Sequence, residues 1–157
     1  MTQTLIARPL DAEALSPHVT LLRAEDGKAR VVPEVMGHDE SAGAHAFTLL
    51  CPKPVDGPVR IAALERHMHS TQTFVPIVAG RWLVVIAPDA ADGTPDIARA
   101  RAFVAGREDA ITIARTVWHA GLTVLDRPAQ FGMIMWKAER GDDGEVFTLP
   151  APVAIEV

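Results

Sequence analysis

The densest concentration of chemistry-bearing side chains is the segment LERHMHSTQTFVP at residues 64–76, where Glu65, Arg66, His67, His69 and Gln72 fall within eight positions of an otherwise apolar neighbourhood. In a strand, side chains two apart share a face, so His67 and His69 would point the same way and could both reach one cation. That is metal-ligand spacing. Gln72 has the opposite parity and joins them only if the chain bends between Ser70 and Gln72.

A second cluster lies in ITIARTVWHAGL at residues 111–122. Read as one strand, Ile111, Ile113, Arg115, Val117 and His119 share a face, which would turn His119 inward after an apolar run. Two imidazoles from one strand and a third from a distant strand can hold a divalent metal while leaving positions open, and imidazole suits Zn, Ni, Fe or Mn. A plainer reading stands beside each residue. Such histidines also occur as half-exposed strand residues, Glu65 and Arg66 as members of surface ion pairs, and Trp82, Trp118 and Trp136 as core or rim aromatics.

These residues need a scaffold, and the rest of the chain reads as short apolar or alternating runs separated by turn chemistry. Strands are expected at 46–50, 59–64, 73–77, 82–87, 110–117, 122–125, 131–137 and 145–149, with CPKPVDGP, PDAADGTPD, VAGRED, DRPAQ and ERGDDG between them. One helix is signalled after Thr94: Thr94 can cap, Pro95 suits the first position, Gly106 can end it, and Ile97, Ala100 and Val104 fall on one face. A second helical turn is expected at 12–15. The stretch 23–44 is polar and irregular. The expectation is a single all-β domain over 1–157, with 1–45 its least defined part.

Composition narrows the function classes. At 157 residues the chain can bury a core without staples, and 48% hydrophobic with 22% charged residues is ordinary for a globular domain. The net charge of −5 has no basic stripe to neutralise successive phosphates, which argues against nucleic acid. No apolar run approaches 18 residues and the N-terminal stretch lacks a secretory pattern, so a cytoplasmic protein with no membrane partner is expected. Cys51 is the single cysteine and reads as structural.

Taken in order, LERHMHSTQTFVP, RWLVVIAPD, TPDIARARAFVA and the VWH tripeptide resemble the ureidoglycolate lyase family, and the spacing matches from about Leu64 to His119. The resemblance implies a cupin-like double-stranded β-helix, a homodimer, and cleavage of ureidoglycolate to glyoxylate and urea in purine-derived ureide breakdown. It matches Glu65, Arg66, His67, Gln72, Trp118 and His119 to the family's motif residues, and the cupin pattern puts metal-ligand histidines near His67, His69 and His119. Departures are visible at Ala120, Met68 and His69, and late in the chain, where Lys137 and Arg140 stand instead of an Asp-Arg pair.

Under this reading the substrate is a small carboxylate whose α-carbon bears a hydroxyl and a ureido nitrogen. His119 or Glu65 would serve as base and acid. Arg66, Arg115 or Lys137 would hold the carboxylate, Gln72 would bond the ureido group, Trp118 would line the substrate, and a divalent metal (Ni, Mn, Zn or Fe) on His67, His69 and His119 would polarise the hydroxyl. Two alternatives remain open: a metal-dependent cupin dioxygenase or isomerase, for which the extra His69 speaks, and a non-catalytic barrel that binds a small ligand.

Overall fold

The structure is a computed structural model that describes residues 3–24, 26–141 and 143–157. Its strands are β1 (Thr4–Ile6), β2 (Arg8–Pro9), β3 (Val19–Leu22), β4 (Gly43–Leu50), β5 (Arg60–His67), β6 (Gln72–Val78) and β7 (Trp82–Ala87). They continue as β8 (Arg101–Ala105), β9 (Ala110–Ile113), β10 (Trp118–His119), β11 (Thr123–Val124), β12 (Gln130–Ala138) and β13 (Gly144–Glu156). One turn of helix, α1 (Ala12–Leu15), is capped by Asp11, whose carboxylate accepts from the Ala14 N–H. No helix among the described residues is long and apolar enough to cross a membrane.

Two sheets face each other. The larger runs β1-β13-β5-β10-β7-β8-β2, with β11 also on β7, and the smaller runs β3-β9-β6-β12-β4. The outermost strands of the larger sheet, β1 and β2, are successive in the chain and separated only by Ala7, so this sheet curls towards closure. The result is the expected cupin-like all-β architecture.

Alternation along β7 shows how the layers stack. Trp82, Val84 and Ile86 point between the sheets, where they meet Phe74, Phe103, Ile111, Ile113 and Phe131. Leu83, Val85 and Ala87 point the other way, into a second apolar cluster with Ile61, Leu64, Trp118, Leu149, Val153 and Ile155. All six residues of β7 are therefore buried, as a strand covered on both faces requires.

Two expectations about elements are corrected. The segment after Thr94 is not a helix: a short 3-10 turn, Ile97–Arg99, leads into strand β8. The Thr94 hydroxyl donates to Asp92, and RAFVA alternates, sending Phe103 and Ala105 to one core and Ala102 and Val104 to the other. Pairing with β7 from Trp82↔Ala105 to Ile86↔Arg101 satisfies its backbone, and that tertiary ladder outweighs helical propensity. The single strand expected over 110–117 also breaks. β9 ends at Ile113, Thr116 adopts a left-handed φ of 64°, and the chain re-enters the other sheet at Trp118.

Close approach of β4 to β12 depends on Gly43, where an added Cβ would lie 2.3 Å from the Lys137 carbonyl oxygen and 2.7 Å from the Trp136 indole nitrogen. Gly43→Ala should therefore cost roughly 1–3 kcal/mol of stability through overpacking. Gly144→Ala, which would meet nothing within 4 Å, should be far milder. Urea denaturation of the two variants checks this, and equal midpoints would show that the strands can part at Gly43 without cost.

Candidate functional site

Strand parity on β5 directs Glu65 and His67 to the interior between the sheets and Arg66 to the opposite face. The two-residue β10 lies between β5 and β7, and its register sets His119 directly opposite Glu65 and Ile86. The His67 and His119 ring centroids are 5.5 Å apart. The chain turns through 68–71 before β6 begins, which is the bend that Gln72 needed to join the cluster.

His119 is 2% exposed and bonded at both ring nitrogens. Its Nδ1 lies 2.8 Å from the Val117 carbonyl, which can only accept, so the Nδ1 proton is committed there. Its Nε2 faces Gln72 Oε1 at 3.0 Å and Glu65 Oε1 at 3.6 Å. Two oxygen acceptors around one ring nitrogen are satisfied when a proton or a cation sits at that nitrogen. The Gln72 amide N–H in turn points to the Met133 thioether at 3.5 Å.

Glu65, His67 and His119 each present a donor atom within 4.8 Å of the other two. Both His67 ring nitrogens are buried and lack a hydrogen-bond partner among the described residues, and two imidazoles with a carboxylate form a donor set suited to Zn, Fe, Ni or Mn. The residues present thus fit a divalent cation. Lys137 extends from β12 on the same inward parity as Met133 and Met135, and its charge acts on both Glu65 and His67.

Other expected members lie elsewhere. His69 is past the end of β5, where strand parity no longer applies; its Nδ1 is 2.6 Å from Asp39 Oδ2, so Glu65 takes the place it was expected to fill beside His67 and His119. Arg66 and Trp118 belong to the far face of the larger sheet. The Arg66 guanidinium lies 4.3 Å over the Trp118 ring and binds Glu145 and Asp89, while the indole N–H donates to the Gly93 carbonyl. Alternation next to inward Glu65 and His119 forces both outward, so neither touches the cluster. Arg115 sits in the turn after β9, 39% exposed and 3.8 Å from Asp39.

Sequence reasoning missed Asp143. It lies in the turn-like ERGDDG stretch, where nothing marks one acidic residue above another, yet it is 7% exposed with Oδ2 3.3 Å from His67 Nδ1.

Burial pushes the His67 pKa below its ordinary 6.5, with the His119 charge acting the same way and Asp143 and Glu65 opposing. The hydrogen bond with His119 lowers the Glu65 pKa below 4.5, against desolvation. On acidification the unfolded chain protonates His67 near 6.5 before the folded protein does, so stability falls with pH below that point. The Glu65 contribution, present above 4.5, is lost as pH falls through its lower folded value. The unfolding midpoint of chelator-treated protein should therefore drop between pH 7 and pH 5, and His67→Gln should drop less. Parallel curves for the two proteins would mean that burial does not keep the ring neutral.

Comparison with known proteins places this geometry in a lineage. The family model described as ureidoglycolate lyase matches residues 2–156. A relative from Agrobacterium fabrum is 30% identical over 99% of this chain and 96% of its own. The ureidoglycolate lyase of Chelativorans sp. is 28% identical over 98% of this chain and 96% of its own, and that of Brucella anthropi is 31% identical over 92% and 89%. Among solved structures, a dTDP sugar isomerase from Desulfovibrio desulfuricans aligns with 84% of this chain and 80% of its own at 23% identity and a TM-score of 0.45. With the family match running over nearly its whole length, the chain belongs to the ureidoglycolate lyase family.

Proposed function

We propose that this protein is a lyase that cleaves ureidoglycolate to glyoxylate and urea, using the cluster of Glu65, His67, Gln72 and His119 between the sheets. The observation that carries this reading is the convergence of two imidazoles and a carboxylate from β5 and β10 in an apolar lining, with the exposed Lys137, on the strand parity of Met133 and Met135, near enough for its charge to act on Glu65 and His67. The reaction breaks the bond between the α-carbon and the ureido nitrogen. The α-hydroxyl loses its proton and becomes the aldehyde carbonyl, while the departing nitrogen regains a proton and leaves as urea.

Each step has a matching group. His67, kept neutral by burial, offers a lone pair for the hydroxyl proton. His119 and Glu65 share the position at which a proton is held for the departing nitrogen. Lys137 supplies the cationic partner for the substrate carboxylate, and the Gln72 amide bonds the ureido group. Glu65, His67 and His119 would also hold a divalent cation, which when bound supplies Lewis-acid polarisation of the hydroxyl.

The test is glyoxylate release from ureidoglycolate by protein as purified, after chelation, and after addition of Ni, Mn, Zn or Fe. His67→Ala and His119→Ala should each lower kcat by about 100-fold or more, and Lys137→Ala should mainly raise KM. Activity that survives chelation assigns the proton handling to the side chains alone, and activity restored by one metal assigns the cation role. No glyoxylate under any condition would defeat the proposal.

We also propose that two copies associate through the outer face of the smaller sheet. Phe47, Leu49 and Ile77 are 63%, 67% and 53% exposed. With Val75 and Ile134 they share the face turned away from the interior, around Gly132, against which the Phe47 ring lies. None of these side chains is charged, so a second copy meets no like-charge repulsion there, and a contiguous apolar patch of this kind marks an interface. Light scattering should give twice the 16.9 kDa chain mass and a monomer for the doubly substituted Phe47→Glu, Leu49→Glu protein. A monomeric unsubstituted protein at micromolar concentration would rule it out.

A further inference from the structure

The pairing of β13 with β5 sets Gly144 opposite His67 and so delivers the preceding residue, Asp143, to the side of that ring. Asp143 is held firmly. Its Oδ1 accepts the His69 backbone N–H at 2.7 Å, and its carbonyl oxygen accepts the Met68 N–H at 2.9 Å. The second carboxylate oxygen, Oδ2, is buried, has no hydrogen-bond partner among the described residues, and lies 3.3 Å from His67 Nδ1. That nitrogen is in the same position: buried, unbonded, and facing Oδ2.

Two orphaned buried atoms of complementary chemistry at this distance are one small ring rotation from a normal N–H···O bond. A carboxylate oxygen can only accept, so only the tautomer with hydrogen on Nδ1 satisfies the pair. We propose that Asp143 is a positioning residue: it takes the Nδ1 proton of His67 in a hydrogen bond and thereby fixes Nε2 as the ring's basic nitrogen. The inference rests on the reading of this cluster as the place where protons are exchanged, and it names which nitrogen does so. It also explains why an acid stands in the turn before β13. An asparagine there would keep its oxygen on the His69 N–H and turn an amide N–H towards Nδ1, reversing the tautomer without changing the volume.

The experiment uses protein labelled with nitrogen-15 at histidine, chelator-treated and held at pH 8, with the His67 signals assigned by their loss in His67→Gln. Long-range nitrogen–proton correlation should show His67 with hydrogen on Nδ1 and a bare Nε2, and Asp143→Asn should show the reverse. The same variant should lose on the order of 100-fold in kcat with KM within a few-fold of the parent. Hydrogen on Nε2 in the unsubstituted protein, or ring signals unmoved in Asp143→Asn, would overturn the assignment. Should Asp143→Asn fail to fold, the unsubstituted spectrum alone decides. The tautomer is read without turnover, so it stands or falls separately from the choice of substrate.

Discussion

Everything at the centre of this protein depends on a two-residue strand. Trp118 and His119 are wedged between β5 and β7, and the single register pair His119↔Glu65 sets an imidazole beside a carboxylate in the interior. One peptide unit serves two cores: Trp118 packs into the apolar layer behind the larger sheet, and His119 faces the layer between the sheets. The Arg66 guanidinium closes over the indole from the outside. Residues that look catalytic by type thus hold the strand in place from its far side.

Burying a polar cluster in an apolar lining is costly unless each group is bonded, and a partly bonded cluster is costlier still. The His119 side is closed, with Val117, Gln72 and Glu65 around the ring. On the His67 side Nδ1 faces Asp143 Oδ2 at 3.3 Å, and Nε2 has no hydrogen-bond partner among the described residues. This asymmetry gives the cluster its chemical character: one imidazole is fixed in its hydrogen bonding, while the other keeps capacity for a proton or a cation. The surrounding β-structure tolerates the open side because β7 is anchored in apolar clusters on both of its faces and β5 by Ile61 and Leu64 in one of them.

A period of two was enough to find most of the strands, since alternating apolar residues must face a core somewhere. β5, β6, β7 and β12 were visible in this way, and parity showed that Gln72 could join the histidines only through a bend, which the turn over 68–71 supplies. Parity carried no information beyond the strand that bears it. His69 falls two residues past His67, but the chain has already left the strand, so the ring ends on Asp39. β8 was hidden because RAFVA suits a helix and a strand equally, and only the neighbouring β7 decides.

The amino-acid sequence alone determined the all-β class, the apolar runs that become both cores, and the residue types available for chemistry at 65–72 and 118–119, because these follow from local pattern and composition. It also carried the family resemblance, which the comparisons bear out over nearly the whole chain. Tertiary structure alone decided which of those residues meet. Arg66 and Trp118 went to the far face, Glu65 replaced His69, and Asp143 was brought beside His67 from 76 positions away. The physical reason is that convergence depends on strand order and register, which are set by long-range pairing and core packing and leave no mark within any single segment.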